Sequence, residues 1–309
     1  QANLASNLAS INIASGAMLD IRGESVQMNG LTGGGTVFNS WAAAVGTLPN
    51  TITIGVGASS SDTNTFSGII GGTVVDATMF PNITTNYSGS AALANGRSSA
   101  GINVVKTNTA STQIFTGANT YSGTTTIKGG TLQIGDGIGG AGHTSSIGAG
   151  AITIDGANTT LSFKNLASVT LSSAQTVTGN GTLLSDKPLT LNGKVSIKQS
   201  TTDNNANLTI KTTDSNVSSG SSDLNINAAV VKGDANNVSF TAESATSLTL
   251  NGNIGNKTTD ASNATGTLDV SLTALGGGIN NNYSYGLYLN KVIDANGGVA
   301  TLTSTVHNS

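Results

Sequence analysis

Phe115-Thr-Gly-Ala-Asn-Thr-Tyr-Ser-Gly-Thr-Thr-Thr-Ile-Lys-Gly-Gly-Thr-Leu-Gln-Ile-Gly135 sets two short alternating segments among closely spaced glycines. In Thr126-Ile-Lys128 and Thr131-Leu-Gln-Ile134 apolar and polar residues alternate, the period of a strand with one buried and one wet face. Gly123, Gly129 and Gly135 interrupt the chain before either strand reaches ordinary length.

A strand of about four or five residues buries too little apolar surface to offset the entropy of ordering it, so this stretch needs copies above and below. The neighbours supply them. Ala151-Ile-Thr-Ile-Asp-Gly156, Thr160-Leu-Ser-Phe-Lys164 and Ser168-Val-Thr-Leu-Ser172 repeat the pattern. Stacked short strands at such spacing are the signature of a solenoid. Strands also fall at Ser10–Ala14, Met18–Arg22 and Val26–Met28, with no helical pattern between them, and again at Thr51–Gly55 and Asn64–Gly68. The expected fold is all-β, a right-handed parallel β-helix of about a dozen coils, each on the order of 20 to 25 residues.

Charged residues make up 9% of the 309-residue chain, and Gly, Ser, Thr and Asn stand where Lys, Glu and Leu usually do. Disorder is the competing reading of so polar a composition, but a solvated linker has no reason to keep Val, Ile and Leu alternating almost from end to end. A net charge of −3 with twelve dispersed Lys and Arg gives no footprint for nucleic acid. No apolar run approaches a membrane helix, so contact with a membrane is expected only through a segment not present here. With no cysteine, neither disulfides nor thiolate metal sites contribute.

Residues 40–48, Ser-Trp-Ala-Ala-Ala-Val-Gly-Thr-Leu, read as a short helix or as a loop tucked against the solenoid. Between 71 and 101 the period is lost, and an excursion from the coil is expected there, carrying Met79, Phe80, Tyr87 and Arg97. Such insertions in repeat proteins often carry binding, though a loop that merely covers the sheet is the plainer alternative.

The run Thr116-Gly-Ala-Asn-Thr-Tyr-Ser-Gly-Thr-Thr-Thr-Ile-Lys-Gly-Gly-Thr-Leu-Gln-Ile134 resembles the autotransporter-associated β-strand repeat of bacterial surface passengers. Gly30–Val37 and Thr65–Ile70 are similar to segments that precede the repeat in that family, so the resemblance covers roughly residues 10–164. One departure is Thr-Asn-Thr-Ala110 after Lys106, where the family usually places glycines. The chain thus divides into 1–164, the β-helix with the repeat and the 71–101 excursion, and 165–309, continuing coils of filamentous-haemagglutinin-like texture. The two form one continuous solenoid. The last strand, Thr301–Thr305, has no polar cap after it, so a longer parent chain is expected.

No constellation of catalytic, cofactor-binding or metal-binding residues emerges. Gly135-Asp-Gly-Ile-Gly-Gly-Ala-Gly142 opens no helix, as a phosphate loop must, and lacks the calcium nonapeptide pattern. Asp136, Asp155, Asp186 and Asp294 stand in apparent turns, where a carboxylate bonds its own backbone. Asp203, Asp214, Asp223 and Asp234 are near-evenly spaced, but a ladder of like charges is unfavourable, so scattered turn positions are expected. The two histidines, His143 and His307, have no nucleophile motif beside them. Tyr283, Tyr285 and Tyr288 cluster after three asparagines and offer an apolar patch or cover an edge.

The resemblance implies an adhesin or structural rod on the bacterial surface or secreted from it, and the few, dispersed carboxylates make a non-enzymatic role the expectation. Its partners would be a host or neighbouring cell surface, or further copies of itself. A polysaccharide-active enzyme on the same scaffold and a subunit polymerising into an extracellular filament are the alternatives.

Overall fold

The computed structural model describes residues 9–21, 23–39, 49–57, 62–71, 101–136, 145–201, 203–213, 223–255, 266–276, 286–295 and 297–305. Among them are 28 strands and no helix. The segment 40–48, read as a helix or loop, lies outside the described residues.

The chain winds through three faces in fixed order. The first is an 11-stranded sheet running from Ile11–Ile13 to Ala300–Ser304. The third is a 9-stranded sheet from Val26–Met28 to Ile254–Gly255. Between them lies a second face made of a 3-stranded sheet, from Met18–Asp20 to Ile69–Ile70, and a 5-stranded one, from Val169–Leu171 to Leu287–Leu289. Within each sheet neighbouring strands come from successive coils and pair in parallel, as in Thr112↔Thr131 and Thr131↔Thr160. This is a parallel β-helix. At about 4.8 Å per strand its long sheet extends roughly 48 Å.

Coil length varies more than the short repeats of the sequence indicate. Register partners are 19 positions apart at Thr112 and Thr131, 22 at Thr160 and Thr182, and 49 at Thr63 and Thr112. The strands stay short and the corners absorb the difference, because a solenoid requires only that each coil re-enter the ladder in register.

The period-2 alternation sends every second side chain inward. Ile127, Leu132, Ile134, Ile152, Ile154 and Leu161 are fully buried. One inward column of the first sheet stacks Phe66, Phe115, Ile134 and Phe163 in register, the first two rings meeting edge to face with centroids 6.5 Å apart. Each such side chain contributes about 2 kcal/mol through burial. The column then turns polar at Ser185, Thr212 and Ser244, all buried, where Thr212 Oγ1 donates to Ser244 Oγ at 3.2 Å.

Candidate functional site: a coil with buried polar groups

The coil that contains Phe115–Gly135 holds a group of polar side chains in its core. Lys106, Ser111, Gln113, Asn119, Tyr121 and Thr125 are all buried there. Each is spent on a backbone or side-chain partner, as burial of polar groups demands.

Lys106 ends the strand Ile102–Lys106 and sits in an apolar column of the third sheet, between Ile54 and Ile127. Its Nζ donates to Ser111 Oγ at 2.8 Å, Gly129 O at 3.1 Å and Asn108 O at 3.2 Å, and also to Thr107 O. Burial lowers the ammonium to about 8. The turn after it lacks the family's glycines. Asn108 takes their place in the left-handed region at φ 70°, a conformation asparagine tolerates better than other non-glycine residues. Lys232 occupies the same column five coils on, its Nζ donating to Asp234 O and Asn236 O, both at 2.6 Å.

Gln113 and Asn119 bridge coils. The Gln113 amide accepts from Leu31 N at 3.0 Å and donates to Leu31 O at 2.9 Å, as a paired strand residue would. Asn119 Oδ1 accepts from Ile70 N at 2.9 Å in the coil before, while its Nδ2 donates to Ser146 O at 2.8 Å in the coil after. It stands where the second face has no strand, and there it adds to the isolated bridge Ala118↔Ser146 and to the bond from Thr120 N to Ile70 O at 3.0 Å. Tyr121 is wholly buried, its hydroxyl 2.7 Å from Thr125 Oγ1. Burial pushes this phenol up to about 12, with Thr125 and Gly148 acting weakly against it. Gly148 lies against the ring: a Cβ there would stand 2.2 Å from Tyr121 Cε2.

The excursion is rooted one coil earlier. Gly71 N donates to Val37 O, and Gly101 O accepts from Asn50 N at 3.1 Å. Asn39 closes the same corner, donating to Asn50 Oδ1 at 2.9 Å and accepting from Gly23 N at 2.8 Å. Met79, Phe80, Tyr87 and Arg97 lie outside the described residues, as do Tyr283, Tyr285, His143, His307 and Asp214. Tyr288 is 43% exposed in the strand Leu287–Leu289, beside Thr249.

The carboxylates are not confined to their own turns, as the sequence suggested. Asp186 accepts from Asn165 N at 2.9 and 3.1 Å, and Asp155 accepts from Thr201 Oγ1 at 3.1 Å. Asp203 and Asp234 each give one oxygen to the amide two residues on and the other to a different coil, Ala157 N and Gln199 N, both at 2.6 Å. Stacking brings neighbouring turns within reach of a short side chain, which turn chemistry read one coil at a time does not capture. No ladder of aspartates forms among them, and no group of three or more metal-ligating His, Asp or Glu occurs among the described residues.

Asn192, Asn227, Asn251 and Asn290 form an exposed amide ladder, each Nδ2 donating to the preceding Oδ1 at 2.7 to 2.9 Å. Its signal is the fourfold recurrence of Leu-x-Leu/Ile-Asn at 189–192, 224–227, 248–251 and 287–290.

Residues 104–134 match the family model of the passenger-associated-transport-repeat. Neither a curated protein nor a solved structure matches the chain. The match falls on the coil of Lys106, Gln113, Asn119 and Tyr121, and these residues carry the repeat found in autotransporter passengers.

Proposed function

We propose that this passenger works as an adhesive or spacer rod at the bacterial surface, engaging a cell surface or further copies of itself through broad contact rather than by catalysis. The observation that carries this reading is the rooting of the 72–100 segment. Its ends, Gly71 and Gly101, are held on one corner of the rod by Val37, Asn39 and Asn50. One coil on, the same corner needs only the few residues between Thr120 and the strand Thr125–Ile127. The added length is therefore dispensable to the coil, and its Met79, Phe80, Tyr87 and Arg97 are residue types enriched at interfaces. Engagement of the described aspartates with backbone amides favours a structural over a hydrolytic use of them.

Replacing residues 74–98 with a short glycine turn tests this in cell-adhesion and aggregation assays. The rod is expected to stay folded, since coils contact only their neighbours, and adhesion is expected to fall. Unchanged adhesion would reduce the segment to a cover. Cleavage of a polysaccharide by the intact chain would replace the reading with an enzymatic one.

A further inference from the structure

The outward face of the 11-stranded sheet carries a column of hydroxyls in unbroken register. Across nine successive strands, from Thr63 through Thr112, Thr131, Thr160 and Thr182 to Thr301, the facing residue is threonine, with Ser271 the one exception. Inward neighbours such as Leu132, Leu161 and Leu183 are fully buried, while the column itself is half-buried to exposed. One hydroxyl therefore recurs about every 4.8 Å over roughly 38 Å.

The flanking chemistry narrows what such a face fits. Lys211 and Glu243, on the neighbouring outward column, pair with each other at 2.6 Å, and Asp269 accepts from Val299 N, so the described flanks of the column carry one compensated pair and one further carboxylate, too little charge to draw a polyanion or a polycation. Ser162, two residues beyond Thr160 on the same face, is buried with its Oγ lacking a hydrogen-bond partner, an unspent polar atom beside the column. A compact ligand would meet only one or two of the hydroxyls. An extended, neutral chain lying along the axis meets one per coil, its hydroxyls answering a group that both donates and accepts while its C–H surface packs on the threonine methyls.

We propose that this threonine column binds a linear, neutral polysaccharide laid parallel to the rod axis. The inference rests on the reading of the chain as a surface-contacting rod and names the class of partner. Affinity comes from many weak contacts in series, so it grows with polymer length and is nearly independent of salt.

The test uses the intact chain, a soluble linear neutral glucan long enough to span the column, its monosaccharide, and a polyanionic polysaccharide. The substitutions Thr160→Val, Thr182→Val and Thr209→Val together remove three hydroxyls at nearly constant shape and strand propensity. They are expected to weaken glucan binding about tenfold or more with the unfolding midpoint unchanged. The matching triple on the third sheet, Thr126→Val, Thr153→Val and Thr178→Val, is expected to leave binding as it was. Failure of the intact chain to bind the glucan, equal effects of the two triples, or preference for the polyanion would each overturn the proposal. So would self-association abolished by the first triple, which would make a second copy the occupant. Cell adhesion persisting without glucan binding would sink this inference and leave the adhesive reading intact.

Discussion

Lys106 Nζ donates to the carbonyl oxygen of Gly129 at 3.1 Å, tying the corner of one coil to the corner of the next. Among the described residues its partners are three carbonyls and the Ser111 hydroxyl, with no carboxylate pairing the ammonium. Burial of an unbalanced charge opposes the gain from those bonds and holds the group at about 8, below the 10.5 of a free lysine.

The sign of the pH dependence follows. Between about pH 8 and 10.5 the unfolded chain keeps the proton on Lys106 and the folded chain releases it, so the cost of burying the charge is relieved as pH rises through that window. The unfolding midpoint of the wild type is expected to gain on that of Lys106→Met as pH is raised from 7 to 9.5. At pH 7 the variant should be less stable by about 1–3 kcal/mol, because it strands the turn carbonyls. Denaturant melts of both proteins across this range check it; parallel curves would show that the amine keeps an ordinary affinity for its proton.

Tyr121 and Gly148 are expected to behave as one unit. Gly148→Ala drives a Cβ into the ring and should cost about 1–3 kcal/mol, whereas Tyr121→Phe loses the hydroxyl contacts with Thr125 and the Gly148 backbone, about 1 kcal/mol. If the alanine were tolerated next to Phe but not next to Tyr, the hydroxyl contact would be what fixes the ring. In a spectroscopic titration one tyrosine should resist ionisation until about pH 12, and stability should fall above pH 10 as the unfolded chain ionises and the folded chain does not.

Two faces of one strand set give a sharper contrast. Ile134 is fully buried between Phe115 and Phe163, and Thr126 faces out between Val105 and Thr153. Ile134→Asp should cost about 4 kcal/mol or more and Thr126→Asp about 0.5 kcal/mol. Thermal melts giving equal losses would reverse the assignment of the faces.

Periodicity made the fold legible because the solenoid is the same local decision repeated: Leu132, Leu161 and Leu183 each follow a threonine at the same step of their strand, and each points inward. What joins one coil to another was not legible. Nothing in the sequence around Lys106 and Gln113 names the residues they bond, and Asp203 reads as a turn position, until stacking places Gly129, Leu31 and Ala157 beside them, at separations of 23, 82 and 46 residues. The threonine column has the same cause. Unequal corners leave its members 19 to 49 positions apart, and only the register aligns them.

Asn119 offers a test of the repeat in which the sign of a pH effect is fixed by geometry. Its Nδ2 faces the carbonyls of Ser146 at 2.8 Å and Gly117 at 3.2 Å, and its Oδ1 faces Ile70 N. Asn119→Asp keeps the shape and the acceptor but replaces the donor with a carboxylate oxygen aimed at those two carbonyls. At neutral pH that buried charge is repelled and undersolvated, and the variant is expected to lose about 2–4 kcal/mol. Protonation restores one donor, so the new carboxyl should titrate above the ordinary carboxylate range in the folded state. The folded variant then binds a proton that the unfolded chain releases, and its stability deficit should shrink as pH falls from 7 to 5, opposite in sign to the usual effect of acid on salt-bridged carboxylates. Chemical denaturation of variant and wild type at pH 5 and pH 7 decides: a deficit independent of pH would mean that the side chain has swung out to water and that Asn119 does not hold the second face closed.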